Sequence, residues 1–142
     1  MAVRDPLYPA YGTVTTWPVL SAGVAPAAGA ANTYGAQSDL AVTADIVAAG
    51  YAGDVYLESC TIRTPSAGDT GKIQLGYQVG AGAVVQLCEV DFECATDAGW
   101  TQRASILGAG GAIPTGADIV CRYKTTGGAV TLTVSVGITE LI

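Results

Sequence analysis

The stretch that decides the fold is AVTLTVSVGITEL, which occupies residues 129–141. Its apolar side chains fall on every second position, and small polar residues and one glycine fill the positions between them. Successive side chains of a β-strand point to opposite faces, so a period of two is typical of a strand with one buried face. The apolar set is Val130, Leu132, Val134, Val136 and Ile138.

The same period recurs toward the N-terminus. KIQLGYQV (residues 72–79) and AVVQLCEVDFECAT (residues 83–96) alternate in the same way. In DVYLESCTIRT (residues 54–64) the apolar phase slips between Leu57 and Cys60, which indicates a β-bulge or a change of sheet. The predicted strands lie near residues 12–18, 38–47, 54–64, 72–79, 84–94, 100–107, 117–125 and 129–140.

Short connectors rich in Gly, Asp and Thr, such as SAGDTG and TTGG, separate these strands and are typical of tight turns. Residues 38–47 could also form a short helix, but the chain shows no alternation of strands with helices, so antiparallel pairing is expected. Eight strands in this layout predict an all-β, antiparallel, jelly-roll-like β-sandwich. We assign it to residues 37–142, after an extended N-terminal arm formed by residues 1–36.

The predicted arm differs in composition from the rest of the chain, because it is rich in Pro, Ala and Gly. Proline fixes φ and removes a backbone donor, which disfavours helix in this region. Tyr8, Tyr11, Trp17 and Pro18 are the candidates for contact with a neighbouring subunit. The alternative is that these rings cover their own domain.

Composition excludes several classes of function. The chain carries a net charge of −6 with no basic cluster, so nucleic-acid binding by counterion displacement is not expected. No apolar run of about 18 residues indicates a membrane span. Histidine is absent, which removes the commonest general base and zinc ligand. We therefore predict no enzyme, and no catalytic, metal or cofactor site.

One face of the 83–96 stretch predicts an acidic row of Glu89, Asp91 and Glu93, spaced at about 7 Å. The row could be a solvated face, a subunit contact to Arg103, Arg122 or Lys124, or a carboxylate-based hydrolase or metal site. A straight row does not converge as a calcium loop does.

The four cysteines are predicted to be buried, reduced thiols: Cys60, Cys88, Cys94 and Cys121. Cys88 and Cys94 would lie roughly 20 Å apart along one extended strand, too far for a disulfide between them. A disulfide between strands, such as one joining Cys60 and Cys121, remains open.

Aromatic residues offer a second kind of site. Tyr56, Tyr77, Trp100 and Tyr123 could form a sugar-binding platform or could pack in the core and at its rim.

Four stretches together resemble the small jelly-roll decoration (cement) proteins of tailed-phage capsids, and the resemblance spans roughly residues 50–142. They are VYLESCTIRT (Val55–Thr64), GDTGKIQLGYQV (Gly68–Val79), AIPTGADIV (Ala112–Val120) and GAVTLTVSV (Gly128–Val136). The resemblance implies a homotrimer on the outer capsid surface of a virion assembled in the host cytoplasm, with the major capsid protein as partner. It also makes Tyr8, Tyr11, Trp17 and Pro18 candidates for contact with that capsid. Four cysteines depart from what the resemblance leads us to expect.

Two other functions stay open at this point. One is a receptor- or carbohydrate-binding module of a tail fibre or spike, acting through Trp100, Tyr77 or Tyr123. The other is a hydrolase acting through Glu89, Asp91 or Glu93.

Overall fold

A computed structural model describes residues 15–17, 23–41, 54–102 and 106–141, and within these ranges the chain is all-β, with eight strands and no helix. This confirms the predicted fold class. The strands are β1 (Thr15–Trp17), β2 (Ser38–Ala41), β3 (Asp54–Arg63), β4 (Asp69–Val79), β5 (Val85–Cys94), β6 (Trp100–Gln102), β7 (Ala117–Thr125) and β8 (Thr133–Leu141). None of the described segments forms a helix long and apolar enough to cross a membrane.

The strands form two antiparallel sheets of four, with the order β1-β8-β3-β6 in the first sheet and β2-β7-β4-β5 in the second. The pairs β1·β8, β2·β7, β3·β6 and β4·β5 are nested, as in one long hairpin whose turn joins β4 to β5. Folding that ribbon over creates the further pairs β3·β8 and β4·β7. This is the jelly-roll arrangement, in which two sheets face each other across one core.

The core lies between the sheets and is built by the predicted alternation. In the 129–141 stretch, all five apolar residues of the predicted set are buried. On β7, Tyr123 is also interior, and its hydroxyl donates to the Val130 carbonyl at 2.7 Å. A buried tyrosine needs such a partner because an unpaired buried hydroxyl costs free energy.

The polar side of β8 is also withdrawn from solvent. Ser135 and Thr139 are 3% and 0% exposed, and Gly137 between them is buried as well. These residues face away from the core, and we call them the covered face. The alternation therefore separates two faces here, but both are buried.

Two β-bulges interrupt the regular pairing of the strands. The register of β3 against β8 shifts between Leu57 and Ser59, so the predicted slip is a β-bulge at Glu58. The register of β4 against β5 shifts between Leu75 and Gly76, which leaves Leu87 as the extra residue of β5.

The predicted boundaries of β6 and β8 extended too far within the described residues. β8 begins at Thr133 rather than near residue 129, and Ile106 already lies in a turn rather than in β6. β2 is described only as Ser38–Ala41, and the possible helix over residues 38–47 mostly lies outside the described residues.

Residues 23–37, which we call the strap, carry the chain from the first sheet to the second. Val24 exchanges both backbone hydrogen bonds with Val134 of β8. Farther along, the amides of Asn32 and Gly35 donate to the Thr125 and Tyr123 carbonyls of β7, at 2.8 and 3.0 Å. The division at residues 36 and 37 stays a prediction.

Candidate functional site

The outer face of the second sheet gathers most of the polar side chains that the sequence singled out. We call it the charged face, formed by Lys72, Gln74, Glu89, Asp91, Glu93, Arg122 and Lys124. Register explains the grouping, because Lys72 of β4 pairs with Asp91 on one side and Lys124 on the other. Gln74 likewise pairs with Glu89 and Arg122. The acidic row therefore lies at the outer edge of a sheet whose next two strands supply cations and an amide.

Glu89 is the most highly connected carboxylate on this face. Its Oε2 accepts hydrogen bonds from the Tyr34 hydroxyl at 2.7 Å and from Gln74 Nε2 at 2.5 Å. Its Oε1 lies 3.8 Å from Lys72 Nζ. The hydrogen bonds from Gln74 and Tyr34, with the nearby positive charge of Lys72, lower the pKa of Glu89. Hydrogen bonds to the ionised form favour it, so Glu89 is held as a carboxylate.

Asp91 pairs with Lys72, whose Nζ lies 3.0 Å from Asp91 Oδ1. This hydrogen bond and charge raise the pKa of the Lys72 ammonium. Both side chains are solvent-exposed, so the pair contributes little to stability and mainly fixes where the charges lie. Sequence reasoning named Arg122 and Lys124 as candidates for a subunit contact with the acidic row, and it missed Lys72 within the same sheet. Lys72 alternates with the apolar residues of KIQLGYQV, and this pattern already predicts that it lies on the polar face of its strand.

Tyr34 fastens the strap to the charged face. Its ring lies under Arg122 Cζ and Lys124 Nζ, each 4.8 Å from the ring centroid, while its hydroxyl reaches Glu89. Cations within about 6 Å of an aromatic ring centroid are attracted to its face. Burial, and then the hydrogen bond to Glu89, raise the pKa of Tyr34 well above its usual value. Sequence reasoning placed Tyr34 in the arm, where its only signal was a lone aromatic residue among small ones.

A groove of about 600 Å³ opens on the charged face beside Lys72 and Lys124. Its lining includes Lys72, Asp91, Glu93, Lys124, Asn32 and Trp100. Trp100 comes from β6 of the first sheet, where it pairs with Ile62. The groove therefore lies where an edge strand of one sheet meets an edge strand of the other.

The buried ring of Phe92 packs against the ring of Trp100 from the core side. The two ring centroids are 6.0 Å apart and the planes are inclined by 57°, a favourable aromatic geometry. A Cβ atom built at Gly71 would lie 2.7 Å from the Phe92 ring, so the glycine leaves the space that this ring fills. Phe92 is buried and Trp100 is half-buried, so the tryptophan joins the core to the groove.

The other aromatic candidates do not join Trp100 in a platform. Tyr123 is buried in the core, Tyr77 is half-buried against it, and Tyr56 of β3 is half-buried opposite Thr139. Of the four, Trp100 lines the groove. The predicted contact residues Tyr8, Tyr11 and Pro18 lie outside the described residues, as does the side chain of Trp17. Arg103, the third predicted partner of the acidic row, also lies outside them.

The cysteines are all free thiols, so no disulfide joins Cys60 to Cys121. Three of the four are buried as predicted, but Cys88 is only half-buried, which corrects the prediction for that residue. Cys88 packs against the core and directly follows the β-bulge at Leu87. Burial raises the pKa of Cys121 to about 12 and raises that of Cys60 further, so neither supplies a reactive thiolate near neutral pH.

The charged face offers many hydrogen-bonding groups, and the pKa of Glu89 does not suit a general acid. A general acid near neutral pH needs a raised carboxyl pKa, whereas that of Glu89 is lowered. Among the described residues, no group of three His, Cys, Asp or Glu side chains converges as a metal site. The arrangement can hold an outside polar group through its carboxylates, ammonium groups and amides.

Comparison of the chain with protein-family models, with curated proteins and with solved structures finds no match.

Proposed function

We propose that the chain is a non-enzymatic structural protein of a tailed-phage virion, a decoration protein that binds the outer capsid surface as a homotrimer. The observation behind the proposal is the way the jelly roll begins. Its first strand, β1, is a three-residue strand at the edge of the first sheet. The segment before Thr15 therefore enters the fold at a sheet edge, from which a neighbouring molecule is accessible.

Two further features support an attachment role for that segment. It contains Tyr8 and Tyr11, amphipathic aromatic residues of a type enriched in protein interfaces. At roughly 3.3–3.6 Å per extended residue, the residues before Thr15 have the length to reach an adjacent subunit. The strap also supports the proposal. Its backbone is hydrogen-bonded to β8 of the first sheet and to β7 of the second sheet, so the chain after β1 is fixed to its own domain.

The low charge of the chain also fits a protein that works by packing. Only 13% of its residues are charged, about half the usual share. Desolvating charged groups costs free energy, so a surface with few of them is cheaper to cover with a partner.

The test uses the virus that encodes the chain. Quantitative mass spectrometry of purified particles measures copies of the chain relative to the major capsid protein. We expect a fixed ratio set by the capsid lattice, and we expect the purified chain to sediment as a trimer. A stable monomer without affinity for capsids would contradict the proposal, as would a copy number of only a few per particle.

The attachment element is tested by rebinding. Particles stripped of the chain are mixed with the full chain, with a chain lacking residues 1–14, or with Asp39→Asn as the matched control. Asp39 is exposed on β2 and belongs to neither the arm nor the groove. The shortened chain should keep its circular dichroism spectrum but lose occupancy, whereas Asp39→Asn should rebind like the full chain.

A further inference from the structure

The groove at the junction of the two sheets has a charge balance that the rest of the chain lacks. Two ammonium groups, Lys72 and Lys124, and two carboxylates, Asp91 and Glu93, line it. The local sum is zero, although the whole chain carries −6. An anionic ligand would meet two carboxylates and a cationic one would meet two lysines. The groove therefore favours a ligand that is polar but uncharged.

The ligand also meets an aromatic surface. Trp100 is held against Phe92 and remains partly exposed where it lines the groove. An indole that is fixed from below loses little conformational freedom when something packs on it. A ligand suited to this surface has one apolar face and several hydroxyl groups around it, which describes a pyranose ring.

Hydrogen-bonding groups are available beside Trp100. Among the described residues, Glu93 makes no side-chain hydrogen bond or ion pair, and its side chain is exposed at the groove. Asn32 contributes an amide, and its backbone is fixed by the bond from its N–H to the Thr125 carbonyl at 2.8 Å. Asp91 is held in place by Lys72 and keeps acceptor capacity on its carboxylate.

We infer that this groove binds a neutral saccharide, with Trp100 packing against a sugar ring and Glu93, Asp91 and Asn32 hydrogen-bonding to its hydroxyls. Lys72 holds Asp91 in place, and the ammonium groups of Lys72 and Lys124 donate to ring or hydroxyl oxygens of the saccharide. Such a site has the usual composition of ligand sites, an apolar surface with a few positioned polar groups. Saccharide binding is separate from capsid binding, so either can hold without the other.

The first experiment probes the purified wild-type chain with a printed array of neutral and acidic oligosaccharides. The neutral oligosaccharide that binds best is then titrated into ¹⁵N-labelled protein. The chain has two tryptophans, Trp17 and Trp100, so its spectrum has two indole N–H signals, which Trp17→Phe assigns. We expect the Trp100 signal to shift with saccharide concentration while the Trp17 signal stays in place.

Two variants test the polar contacts. Glu93→Gln should weaken binding by about tenfold, because a charge-assisted hydrogen bond contributes on the order of 1.5 kcal/mol. Asp39→Asn makes the same change of charge outside the groove and should leave the affinity unchanged. The inference is overturned if no neutral oligosaccharide binds, if only acidic ones bind, or if binding leaves the Trp100 signal unmoved. Equal affinities of Glu93→Gln and Asp39→Asn would overturn it as well. None of these measurements involves capsids, so their failure leaves the proposed function standing.

Discussion

The outer faces of the two sheets carry polar residues in the same alternating pattern, yet one is covered and the other is open. On β8 the outward residues are Ser135, Gly137 and Thr139, all buried. On β5 they are Glu89, Asp91 and Glu93, all exposed. Both stretches read as half-buried strands, so the period of two alone does not separate them.

The difference lies in the size and charge of the outward side chains. Ser, Gly and Thr are small and uncharged, so withdrawing them from water costs far less free energy than withdrawing a carboxylate. Asp and Glu are almost never fully buried without partners. An alternating strand with small outward residues therefore indicates a covered sheet face, whereas one with carboxylates indicates an open face.

The largest expected effect comes from placing a charge on the covered face. Ser135→Asp should lower the free energy of unfolding by about 3–5 kcal/mol, because it buries a carboxylate without a partner. Urea unfolding followed by circular dichroism measures the loss.

Thr131→Asp is the matched control, since Thr131 lies in the same stretch and on the same side but is exposed. It should change the free energy of unfolding by no more than about 0.5 kcal/mol. Equal losses for the two variants would show that the covered face is open to solvent.

A smaller loss is expected from adding one methyl group to the covered face. A Cβ atom at Gly137 would crowd Ser59 Oγ and lie 2.6 Å from Glu58 Oε2. Glu58 is only 8% exposed and has little room to move. Gly137→Ala should therefore cost about 1–3 kcal/mol in the same unfolding assay.

Gly99→Ala is the control for that substitution. Its nearest neighbour would be the Ile62 carbonyl oxygen at 3.6 Å, an ordinary contact. We expect no loss of stability from Gly99→Ala, and the explanation by crowding fails if both variants are equally destabilised.

On the charged face the expected effect is smaller and depends on pH. The pKa of Glu89 is lowered from its usual 4.5, so its contribution to stability is complete above that value. The contribution disappears as pH falls through the lowered pKa of the folded state. Glu89→Gln should thus be less stable than wild type by under about 1 kcal/mol at pH 7, and equally stable at low pH.

Thermal unfolding of both proteins between pH 7 and about 3 measures this difference. Glu93→Gln is the control, because Glu93 lacks the bonds to Tyr34 and Gln74 that Glu89 accepts. A stability difference for Glu89→Gln that persists unchanged into acid would contradict the role given to its carboxylate.

The smallest effect is expected at the hydroxyl of Ser135. Among the described residues it is the one buried side-chain oxygen or nitrogen without a hydrogen-bond partner. Ser135→Ala removes this unpaired group, so stability should stay the same or rise by up to about 1 kcal/mol. Thr125→Val, which removes the acceptor of the Gly128 amide at 3.1 Å, should instead be destabilising. A clear loss in Ser135→Ala would show that its hydroxyl is bonded.

Much of the candidate site could be predicted residue by residue, but its assembly could not. Parity placed Glu89, Asp91 and Glu93 on one face because neighbouring positions of a strand alternate. Lys72 and Tyr34 both contact Glu89, although they lie 17 and 55 positions from it along the chain. Local alternation cannot reveal contacts at such separations. Trp100 was named as an aromatic candidate, but only the meeting of two sheet edges places it beside that face.

By itself the sequence determined the strands, most of their core-facing residues and the slip of the apolar phase near Leu57, because these follow from local side-chain alternation. It also determined the low charge and the absence of histidine. Only the tertiary structure decided which strands are neighbours, that the strap locks onto β7 and that Cys88 is partly exposed. The physical reason is that pairing, register and coverage depend on contacts between distant segments, and no local period records them.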